Sequence, residues 1–425
     1  MLEIAKFELM SHFLTYPCKQ IKGRIVLPAS KSISNRALLI NALAGNKELP
    51  QNLSDSDDTC VMLRALQDMP ETIDIGAAGT AMRFMTAYLS VTPGEHIITG
   101  TERMRHRPIA ILVDALHQLG ASITYESEEG FPPLRIIGSD KLEGGELTVP
   151  GDVSSQYISA LLMIAPTLRK GLRLRLTGNI ASKPYLEMTL SMMREFGAKA
   201  DWSSENTIEV QPSPYQQHNY HIESDWSAAS YWYEIVALSA DEDSQIDLVG
   251  LHSESIQGDS KVKQLFNELG VETQYYIEAD GTEITRLRKC GNTTNHFSYN
   301  FTHQPDLAQT FVVTCAMLKI PFRFTGLHSL KIKETDRITA LRTELRKLGY
   351  DIQEQDNSIL FWDGERCQAE EKTAIDTYQD HRMAMAFAPC ILRQNSLCIN
   401  NPEVVSKSYP HFWEDFSNIC SISSL

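Results

Sequence analysis

The sequence has no long hydrophobic run, because no stretch approaches the roughly 18 consecutive apolar residues that a membrane-spanning helix requires. Glu3 and Glu8 interrupt the apolar part of its beginning, which is not typical of a secretory signal. The eight cysteines are scattered from Cys18 to Cys420 without a C-x-x-C pair, which disfavours a zinc ribbon or a thioredoxin-like site. These absences predict a cytoplasmic protein with reduced thiols and no membrane partner.

A net positive charge is also lacking, since the formal charge is −15. Nonspecific binding to nucleic acid needs a basic surface, so we expect no nucleic-acid partner. Lys31-Ser32 lacks the preceding glycines of a P-loop, and Asp55, Asp57 and Asp58 lack the Gly and Glu of an EF-hand. H-E-x-x-H and G-x-S-x-G do not occur, and His381 has no obvious ligand partner, so we expect no metal.

An internal repeat is present. Small or polar clusters that open an apolar helical run occur six times, with a first interval of 48 residues and later intervals of 73 to 79. These clusters lie at 32–36, 79–83, 154–157, 227–230, 306–309 and 380–383. A second set of helices has the same period and ends in an apolar residue before Gly120, Gly197, Gly270 and Gly349. With further starts near Thr59 and Pro410, this second set also has six members.

Short runs typical of β-strands lie between these helices, at 23–27, 96–99, 134–137, 172–176 and 359–362. Each repeat therefore holds two helices and several strands, and a chain of 425 residues is long enough for two domains of three repeats. The short first interval suggests that one domain is inserted in the other. We predict an α/β (α+β) protein with an outer discontinuous domain, 1–29 and 225–425, and an inserted domain, 30–224.

Polar and basic residues cluster at the predicted helix starts, where unpaired N–H groups attract phosphate and carboxylate. Each residue taken alone is explained as a helix cap or a solvated charge, and Glu334 as a partner of a nearby Lys or Arg. Their recurrence at one place in the repeat instead favours a shared site for multiply anionic small molecules. The basic segment 333–337 is the clearest example.

The residues at these positions resemble the 5-enolpyruvylshikimate-3-phosphate synthase family of enolpyruvyl transferases over essentially the whole chain. Nine segments carry the resemblance in the family's order: 27–36, 78–83, 107–109, 154–157, 182–185, 257–259, 333–337, 380–385 and 406–407. The resemblance implies two similar domains, each of three βαβαββ repeats in an inside-out, barrel-like α/β fold. It also implies an active site in the cleft between the domains.

The reaction that the resemblance implies is transfer of the enolpyruvyl group of phosphoenolpyruvate to the 5-hydroxyl of shikimate 3-phosphate. A tetrahedral intermediate forms by addition and loses phosphate by elimination, in the biosynthesis of chorismate and aromatic amino acids. No cofactor or metal is implied, and we expect a monomer.

The resemblance also implies the site residues. For shikimate 3-phosphate these are Lys31, Ser32, Arg36, Ser154, Ser155, Gln156, Ser182, Tyr185, Asp306 and Lys333. For phosphoenolpyruvate they are Lys31, Gly79, Arg107, Gln156, Arg337, Arg382 and Lys407. Among the implied catalytic residues Lys31, Asp306 and Glu334, Asp306 is the base for the 5-hydroxyl and Glu334 the acid for the methylene carbon. Both substrates carry a phosphate and a carboxylate, so several cations are needed to bind them.

Four positions depart from the family pattern. Ala77 stands where Asn is usual, Phe84 where Pro is frequent, and Ser329 and Gln379 where Asn is common. We expect these departures to alter the affinity for phosphoenolpyruvate and its analogue glyphosate, in a direction that the sequence leaves open.

Two alternative functions remain open at this point. UDP-N-acetylglucosamine enolpyruvyl transferases share the fold, but they typically have Lys-Asn where Lys31-Ser32 stands and a loop cysteine that 94–107 lacks. A non-catalytic protein that binds phosphate metabolites would tolerate the loss of Asp306 or Glu334, and both are present.

Overall fold

Residues 11–15, 21–371, 373–394, 396–420 and 423–424 are described by the structure, a computed structural model. Glu3, Glu8 and Cys18, on which part of the sequence interpretation rests, lie outside the described residues. The chain separates into two units. Unit 1 comprises the chain up to Leu27, Ser224–Ser253 and the chain from Asp259 onward, and unit 2 comprises Pro28–Glu223 and Glu254–Gly258.

The short segment Glu254–Gly258 belongs to unit 2, whereas the predicted boundaries placed it in the outer domain. Gly258 lies so close to Pro184 that a Cβ atom at Gly258 would overlap the proline ring. Sequence position alone could not reveal this packing, because it joins residues that lie far apart in the chain.

The chain begins in unit 1 and then passes through unit 2. The first two strands are β1 (Ser11–Thr15) and β2 (Lys22–Val26). The helices of unit 2 are α1 (Lys31–Leu43), α2 (Asp57–Asp68), α3 (Gly79–Val91), α4 (Glu102–Arg105), α5 (Ala110–Gln118), α6 (Ser155–Ile164) and α7 (Lys183–Glu195). Its strands are β3 (Thr72–Asp74), β4 (Gly94–Thr99), β5 (Ser122–Tyr125), β6 (Leu134–Gly138), β7 (Gly145–Pro150), β8 (Leu172–Thr177), β9 (Ala200–Ser204) and β10 (Thr207–Val210).

The remaining elements complete unit 1. Its helices are α8 (Trp226–Leu238), α9 (Val262–Asn267), α10 (Ala308–Leu318), α11 (Arg337–Lys347), α12 (His381–Phe387) and α13 (Phe412–Cys420). Its strands are β11 (Gln245–Val249), β12 (Leu269–Ile277), β13 (Glu283–Thr293), β14 (Phe297–Asn300), β15 (Phe322–Thr325), β16 (Gln353–Gln355), β17 (Ile359–Trp362), β18 (Ala374–Ile375), β19 (Ser396–Asn400) and β20 (Ser423–Ser424).

The described strands form five sheets of four strands. Unit 2 has the orders β3-β4-β6-β5 and β7-β8-β10-β9, and unit 1 has β12-β13-β11-β2, β14-β15-β17-β16 and β18-β19-β1-β20. In each sheet one parallel pair, such as β3 with β4 or β7 with β8, continues into antiparallel strands. The chain orders β3-α3-β4-α5-β5-β6 and β7-α6-β8-α7-β9-β10 are βαβαββ repeats, so the predicted fold class is confirmed.

The first repeat is incomplete, which explains the short first interval in the sequence. The segment between α1 and α2, which the structure describes throughout, contains no strand, and Gln51 forms an isolated parallel bridge to His221 near the end of unit 2. In unit 1, β2 pairs in parallel with β11, and Ile25 lies opposite Leu248. Unit 2 is therefore inserted in the chain between two neighbouring strands of one sheet.

Local sequence signals account for these elements. In β8 the leucines of LRLRLT are buried and the arginines are exposed, as expected for a strand with one face on the core. The four glycines predicted to end helices have φ between 83° and 97°, a backbone region that favours glycine. The prediction was wrong in one detail, because α9 ends at Asn267 and Gly270 already lies in β12. Pro108 lies just before α5, whose N-cap is Ile109. Each unit has its own hydrophobic core.

Candidate active site

Arg36 lies in α1 with 2 % of its surface exposed. Its guanidinium donates to Thr189 Oγ1 at 2.7 Å, to the Ser32 carbonyl at 2.8 Å and to Ser159 Oγ at 3.2 Å. All three acceptors are neutral. A buried cation without a carboxylate is costly unless a ligand supplies the negative charge. The surroundings of Arg36 therefore favour the binding of an anion.

Two aromatic rings flank the same guanidinium. Its Cζ lies 5.4 Å from the centroid of Phe84 and 5.8 Å from that of Tyr185. Burial lowers the pKa of Arg36 to about 10, so the side chain is still charged at neutral pH. Phe84 is fully buried, and its aromatic face helps to hold the charge in place.

Lys31 is the first residue of α1, whose N-cap Ser30 accepts from the Ile33 backbone N–H at 3.5 Å. Its Nζ lies 3.5 Å from Asp58 Oδ2. Lys31 therefore differs from Arg36, since an acidic neighbour partly balances its charge. The helix start brings Lys31, Ser32 and Arg36 together, as the sequence predicted.

The start of α3 lies beside Arg107. A Cβ atom at Gly79 would stand 2.6 Å from Arg107 Nη1, so only glycine leaves the guanidinium its present position. Within the described residues, the buried Nε of Arg107 has no hydrogen-bond partner. Gln156 Nε2 donates to Thr80 Oγ1 at 3.0 Å. Three predicted residues, Gly79, Arg107 and Gln156, thus lie around one helix N-terminus.

Arg83 supports this group and was not predicted as a site residue. It donates to the Gly79 carbonyl and to the Pro108 carbonyl, each at 3.1 Å. Its Cζ lies 5.7 Å from the centroid of Tyr157, whose hydroxyl also donates to the Pro108 carbonyl, at 2.5 Å. Arg83 thereby joins the first residue of α3 to the residue after Arg107. The sequence placed Arg83 in a conspicuous segment but gave no sign of these carbonyl partners.

The other predicted residues of unit 2 also lie at helix starts. Ser154 caps α6 by accepting from the Gln156 backbone N–H at 3.4 Å, and Ser155 is the first residue of α6. Ser182 precedes α7 with φ 54°, an unusual conformation for a residue other than glycine. Tyr185 follows in the first turn of α7, and its ring faces Arg36.

In unit 1 the predicted cations converge on Asp306, which lies in the 3₁₀ turn Pro305–Leu307 before α10. Arg382 Nη2 donates to Asp306 Oδ2 at 2.8 Å. Arg337 Nη1 lies 3.4 Å and Lys333 Nζ 3.8 Å from Asp306 Oδ1. Residues separated by up to 76 positions along the chain thus meet at one carboxylate.

Arg337 also contacts two further carboxylates. Its Nε donates to Asp380 Oδ2 at 2.7 Å, and its Nη2 donates to Glu334 Oε2 at 2.8 Å. Asp380 is fully buried and caps α12 by accepting from the Arg382 backbone N–H at 2.9 Å. The contact between Arg337 and Glu334 is the ion pair that the sequence predicted as the alternative to a catalytic role, but Glu334 lies in the bend before α11 and not in the helix.

The pKa values of two carboxylic acids in this part of unit 1, Asp306 and Asp259, are shifted in opposite directions. Burial raises the pKa of Asp306, but the charges of Arg382, Lys333 and Arg337 outweigh it and leave the pKa below its usual range. Burial, followed by the negative charge of Asp306, raises the pKa of Asp259 to about 7. The Ser227 hydroxyl donates to Asp259. Asp306 is therefore ionised at neutral pH, whereas Asp259 is partly protonated.

Lys407 is half-buried at the end of the 3₁₀ helix Pro402–Lys407, which packs against α12. Asp336, interpreted from the sequence as a helix-start residue, caps α11 by accepting from the Thr339 backbone N–H at 3.1 Å. The assignment of substrates to all of these residues remains a prediction.

The four departures from the family pattern occupy different surroundings. Ala77 and Gln379 are exposed, and Ser329 is half-buried in the 3₁₀ helix His328–Ile332. Phe84 contacts a predicted substrate-binding residue directly, through its ring against Arg36.

No group of three or more His, Cys, Asp or Glu residues suited to hold a metal ion occurs in the described part of the chain. None of the described helices is long and apolar enough to cross a bilayer.

Comparison with known proteins identifies the family. The family model described as EPSP synthase (3-phosphoshikimate 1-carboxyvinyltransferase) matches residues 15–74 and 67–416. A 3-phosphoshikimate 1-carboxyvinyltransferase of Bacteroides fragilis is 58 % identical, over 96 % of this chain and 97 % of that protein. The enzyme of the same name from Sulfurovum sp. is 34 % identical, over 97 % of this chain and 100 % of that protein.

Solved structures show the same fold. The structure of EPSP synthase from Acinetobacter baumannii superimposes with a TM-score of 0.76 at 21 % sequence identity, over 98 % of this chain and 100 % of that chain. At this identity the likeness concerns the fold alone, whereas the sequence matches identify the family. The chain belongs to the EPSP synthase (3-phosphoshikimate 1-carboxyvinyltransferase) family.

Proposed function

We propose that the chain transfers the enolpyruvyl group of phosphoenolpyruvate to the 5-hydroxyl of shikimate 3-phosphate and releases phosphate. Its family and its full-length relatives carry this activity in their names. In the structure, the observation that carries the proposal is the group around Asp306. The carboxylates Asp306 and Glu334 and the cations around them form one network, which supports proton transfer beside the binding of phosphate and carboxylate.

Unit 2 supplies most of the residues for shikimate 3-phosphate. The neutral acceptors around Arg36 leave its positive charge available to a ligand. The starts of α1, α6 and α7 add backbone N–H groups and the side chains of Lys31, Ser155 and Ser182. A charge-assisted hydrogen bond of this kind contributes about 1.5–3 kcal/mol.

Phosphoenolpyruvate would bind to Arg107 and Gln156 in unit 2 and to Arg337, Arg382 and Lys407 in unit 1. The close approach of the Arg107 guanidinium to Gly79, at the start of α3, supports this assignment, because it places a cation beside that helix N-terminus. A guanidinium binds carboxylate and phosphate through two parallel hydrogen bonds. We propose that the residues of both units act on the same pair of substrates.

The addition step forms a bond between the 5-oxygen and C2 of phosphoenolpyruvate. Asp306 accepts the proton from the 5-hydroxyl, and Glu334 donates a proton to C3, which becomes a methyl group. In the elimination step Glu334, ionised by the addition, takes a proton back from C3, the C2–C3 double bond forms again, and phosphate departs from C2 with the proton that Asp306 had accepted. The lowered pKa of Asp306 keeps this carboxylate ionised at neutral pH, and its strength as a base would rise when the substrate anions draw Arg382, Lys333 and Arg337 away from it.

Glu334 accepts a hydrogen bond from Arg337, which favours its ionised form in the absence of substrate. Its proposed role as the acid therefore needs Arg337 to be drawn toward an incoming anion. Phosphoenolpyruvate supplies such an anion. The binding of phosphoenolpyruvate and the protonation of Glu334 would then favour each other, because both break the ion pair between Arg337 and Glu334.

One assay tests the activity against its alternatives. Phosphate release from phosphoenolpyruvate is measured with shikimate 3-phosphate and, separately, with UDP-N-acetylglucosamine. We expect release with shikimate 3-phosphate only. Release with the nucleotide sugar would support the sister activity, and release with neither would favour the binding-protein alternative. The expectations of a monomer and of a cytoplasmic location stay predictions.

A further inference from the structure

The residues just before Asp380 form a tight turn with an unfavourable backbone. The Asp380 backbone N–H donates to the Thr377 carbonyl at 2.8 Å and closes the turn. Its two central residues, Tyr378 and Gln379, have φ values of 53° and 56°. Turns of this kind strongly favour Asn, Asp and Gly at both positions. A tyrosine followed by a glutamine therefore needs support from the surrounding structure.

The turn leads directly into the proposed phosphoenolpyruvate site. Asp380 accepts from Arg337 Nε at 2.7 Å and from the Arg382 backbone N–H at 2.9 Å. A change in the turn would move this carboxylate, and with it the Arg337 guanidinium that it accepts from and the start of α12, which carries Arg382. The conformation of 377–380 thus contributes to the geometry of Arg337 and to the position of Arg382.

Glu344 provides the support. It is fully buried in α11, and its Oε1 accepts from the Tyr378 hydroxyl at 2.6 Å. Its Oε2 accepts from the Asp376 backbone N–H at 3.1 Å. Lys347 Nζ lies 2.8 Å from Glu344 Oε2 and 2.9 Å from Asp376 Oδ2 and balances both charges.

Helix α11 therefore holds the segment before α12 at two points. Arg337, at the helix start, contacts Asp380, and Glu344, two turns later on the same face, contacts Tyr378 and Asp376. One rigid helix thus fixes both ends of the strained turn.

We propose that Glu344 and Tyr378 are positioning residues, which hold the strained 377–380 turn and thereby set the geometry of Arg337 and Arg382 for phosphoenolpyruvate. This inference rests on the proposed function of those arginines. Neither residue touches substrate in this account, because both act through Asp380.

The test uses Tyr378→Phe, which removes only the hydroxyl. We expect the KM for phosphoenolpyruvate to rise about five- to twentyfold, while the KM for shikimate 3-phosphate changes less than twofold. The matched control is Tyr276→Phe, since the Tyr276 hydroxyl also donates to a half-buried carboxylate of unit 1, that of Asp247, at 2.7 Å. This control should leave both KM values unchanged.

A second substitution, made in the Tyr378→Phe variant, relieves the backbone strain of the 377–380 turn without restoring the lost hydroxyl. Gln379→Gly permits the positive φ, so it should return the KM for phosphoenolpyruvate toward the wild-type value when combined with Tyr378→Phe. Thermal unfolding without substrates should show the same pattern, a lowered Tm in Tyr378→Phe and recovery in the double variant. Recovery of both quantities supports the inference.

If the wild-type protein is active, either of two results would overturn the inference. One is an unchanged KM for phosphoenolpyruvate in Tyr378→Phe despite a lowered Tm, which would make the pair merely structural. The other is an equal rise in both KM values, which would mean that the turn has no specific effect on phosphoenolpyruvate. An inactive wild-type protein would instead contradict the proposed function, so the two failures are distinguishable.

Discussion

The predicted site arginines of the two units differ in the charge of the groups that surround them. In unit 2, Arg36 donates to two hydroxyls and a carbonyl, and Nε of Arg107 has no partner among the described residues. In unit 1, Arg337 contacts three carboxylates. The first arrangement leaves positive charge available to a ligand, and the second neutralises it.

This difference suggests a division of the chemistry. An anion can bind beside Arg36 without displacing another negative group. An anion that binds to Arg337 must compete with Asp306 and Glu334, so its binding changes the interactions of the residues proposed for proton transfer. Lys31 is an intermediate case, because Asp58 lies 3.5 Å from it.

The largest expected effect comes from removing the unit 1 carboxylates. Asp306→Ala and Glu334→Gln should each lower kcat by about 10²- to 10⁴-fold, the usual contribution of a general acid or base. Steady-state phosphate release with both substrates saturating measures this loss. Asp363→Ala, at an exposed carboxylate of the same unit, is the control and should keep full turnover. Near-normal turnover in either variant would refute the assigned role.

Removing charge from unit 2 should have a smaller effect, and on binding rather than turnover. Arg36→Gln eliminates charge-assisted hydrogen bonds of about 1.5–3 kcal/mol, which corresponds to roughly a 10- to 150-fold rise in the KM for shikimate 3-phosphate. The exposed Arg175 provides the matched control Arg175→Gln. An unchanged KM in Arg36→Gln would show that the buried charge serves the fold and not the ligand.

Unit 1 also contains a buried carboxylate, that of Glu234, whose oxygens have no hydrogen-bond partner among the described residues, and it can be compared with Asp306. Glu234 is fully buried in α8, and burial raises its pKa well above the ordinary value, in contrast to Asp306. In the folded protein Glu234 therefore keeps its proton at pH values at which the unfolded chain has already released it. The contribution of Glu234 to the free energy of unfolding is largest below the pKa of Glu234 in the unfolded chain. It falls by about 1.4 kcal/mol per pH unit as the pH rises from there toward the pKa in the folded protein.

Glu234→Gln should abolish this pH dependence. The variant should match the wild-type free energy of unfolding near pH 4 and exceed it at pH 8, as measured by urea denaturation at both values. Equal stability of the two proteins at pH 8 would contradict a protonated Glu234. Turnover should be unaffected, because Glu234 has no assigned role with the substrates.

The smallest expected effect concerns space beside Arg107. In Gly79→Ala the new Cβ would stand 2.6 Å from Arg107 Nη1, so the guanidinium must move. Since the side chain is flexible, we expect only a three- to tenfold rise in the KM for phosphoenolpyruvate. Gly291→Ala, where nothing lies within 4 Å of an added Cβ, is the control. An unchanged KM would exclude Arg107 from the phosphoenolpyruvate site.

The repeated helix starts and the family fold could be predicted from the sequence, because their signals are local. A cap, a first turn and a closing glycine lie within one helix, and Gly197 and Gly349 ended helices where the pattern placed them. The chain order of these signals then identified the repeat. The incomplete first repeat was predicted for the same reason, from an interval that was too short.

The partners of the site residues could not be predicted, because they come from distant parts of the chain. Thr189 and Ser159 lie 153 and 123 residues from Arg36. Asp380, which orients Arg337, lies 43 residues away from it. The sequence marked Arg36 and Arg337 as cations, and only the folded structure distinguishes a cation with neutral acceptors from one held by carboxylates.

The most direct test of this division is calorimetric titration of Arg36→Gln and Asp306→Ala with shikimate 3-phosphate, beside the wild-type protein. We predict that Asp306→Ala binds within about fivefold of wild type, whereas Arg36→Gln binds at least tenfold more weakly. Loss of binding in Asp306→Ala, together with wild-type affinity in Arg36→Gln, would contradict the account.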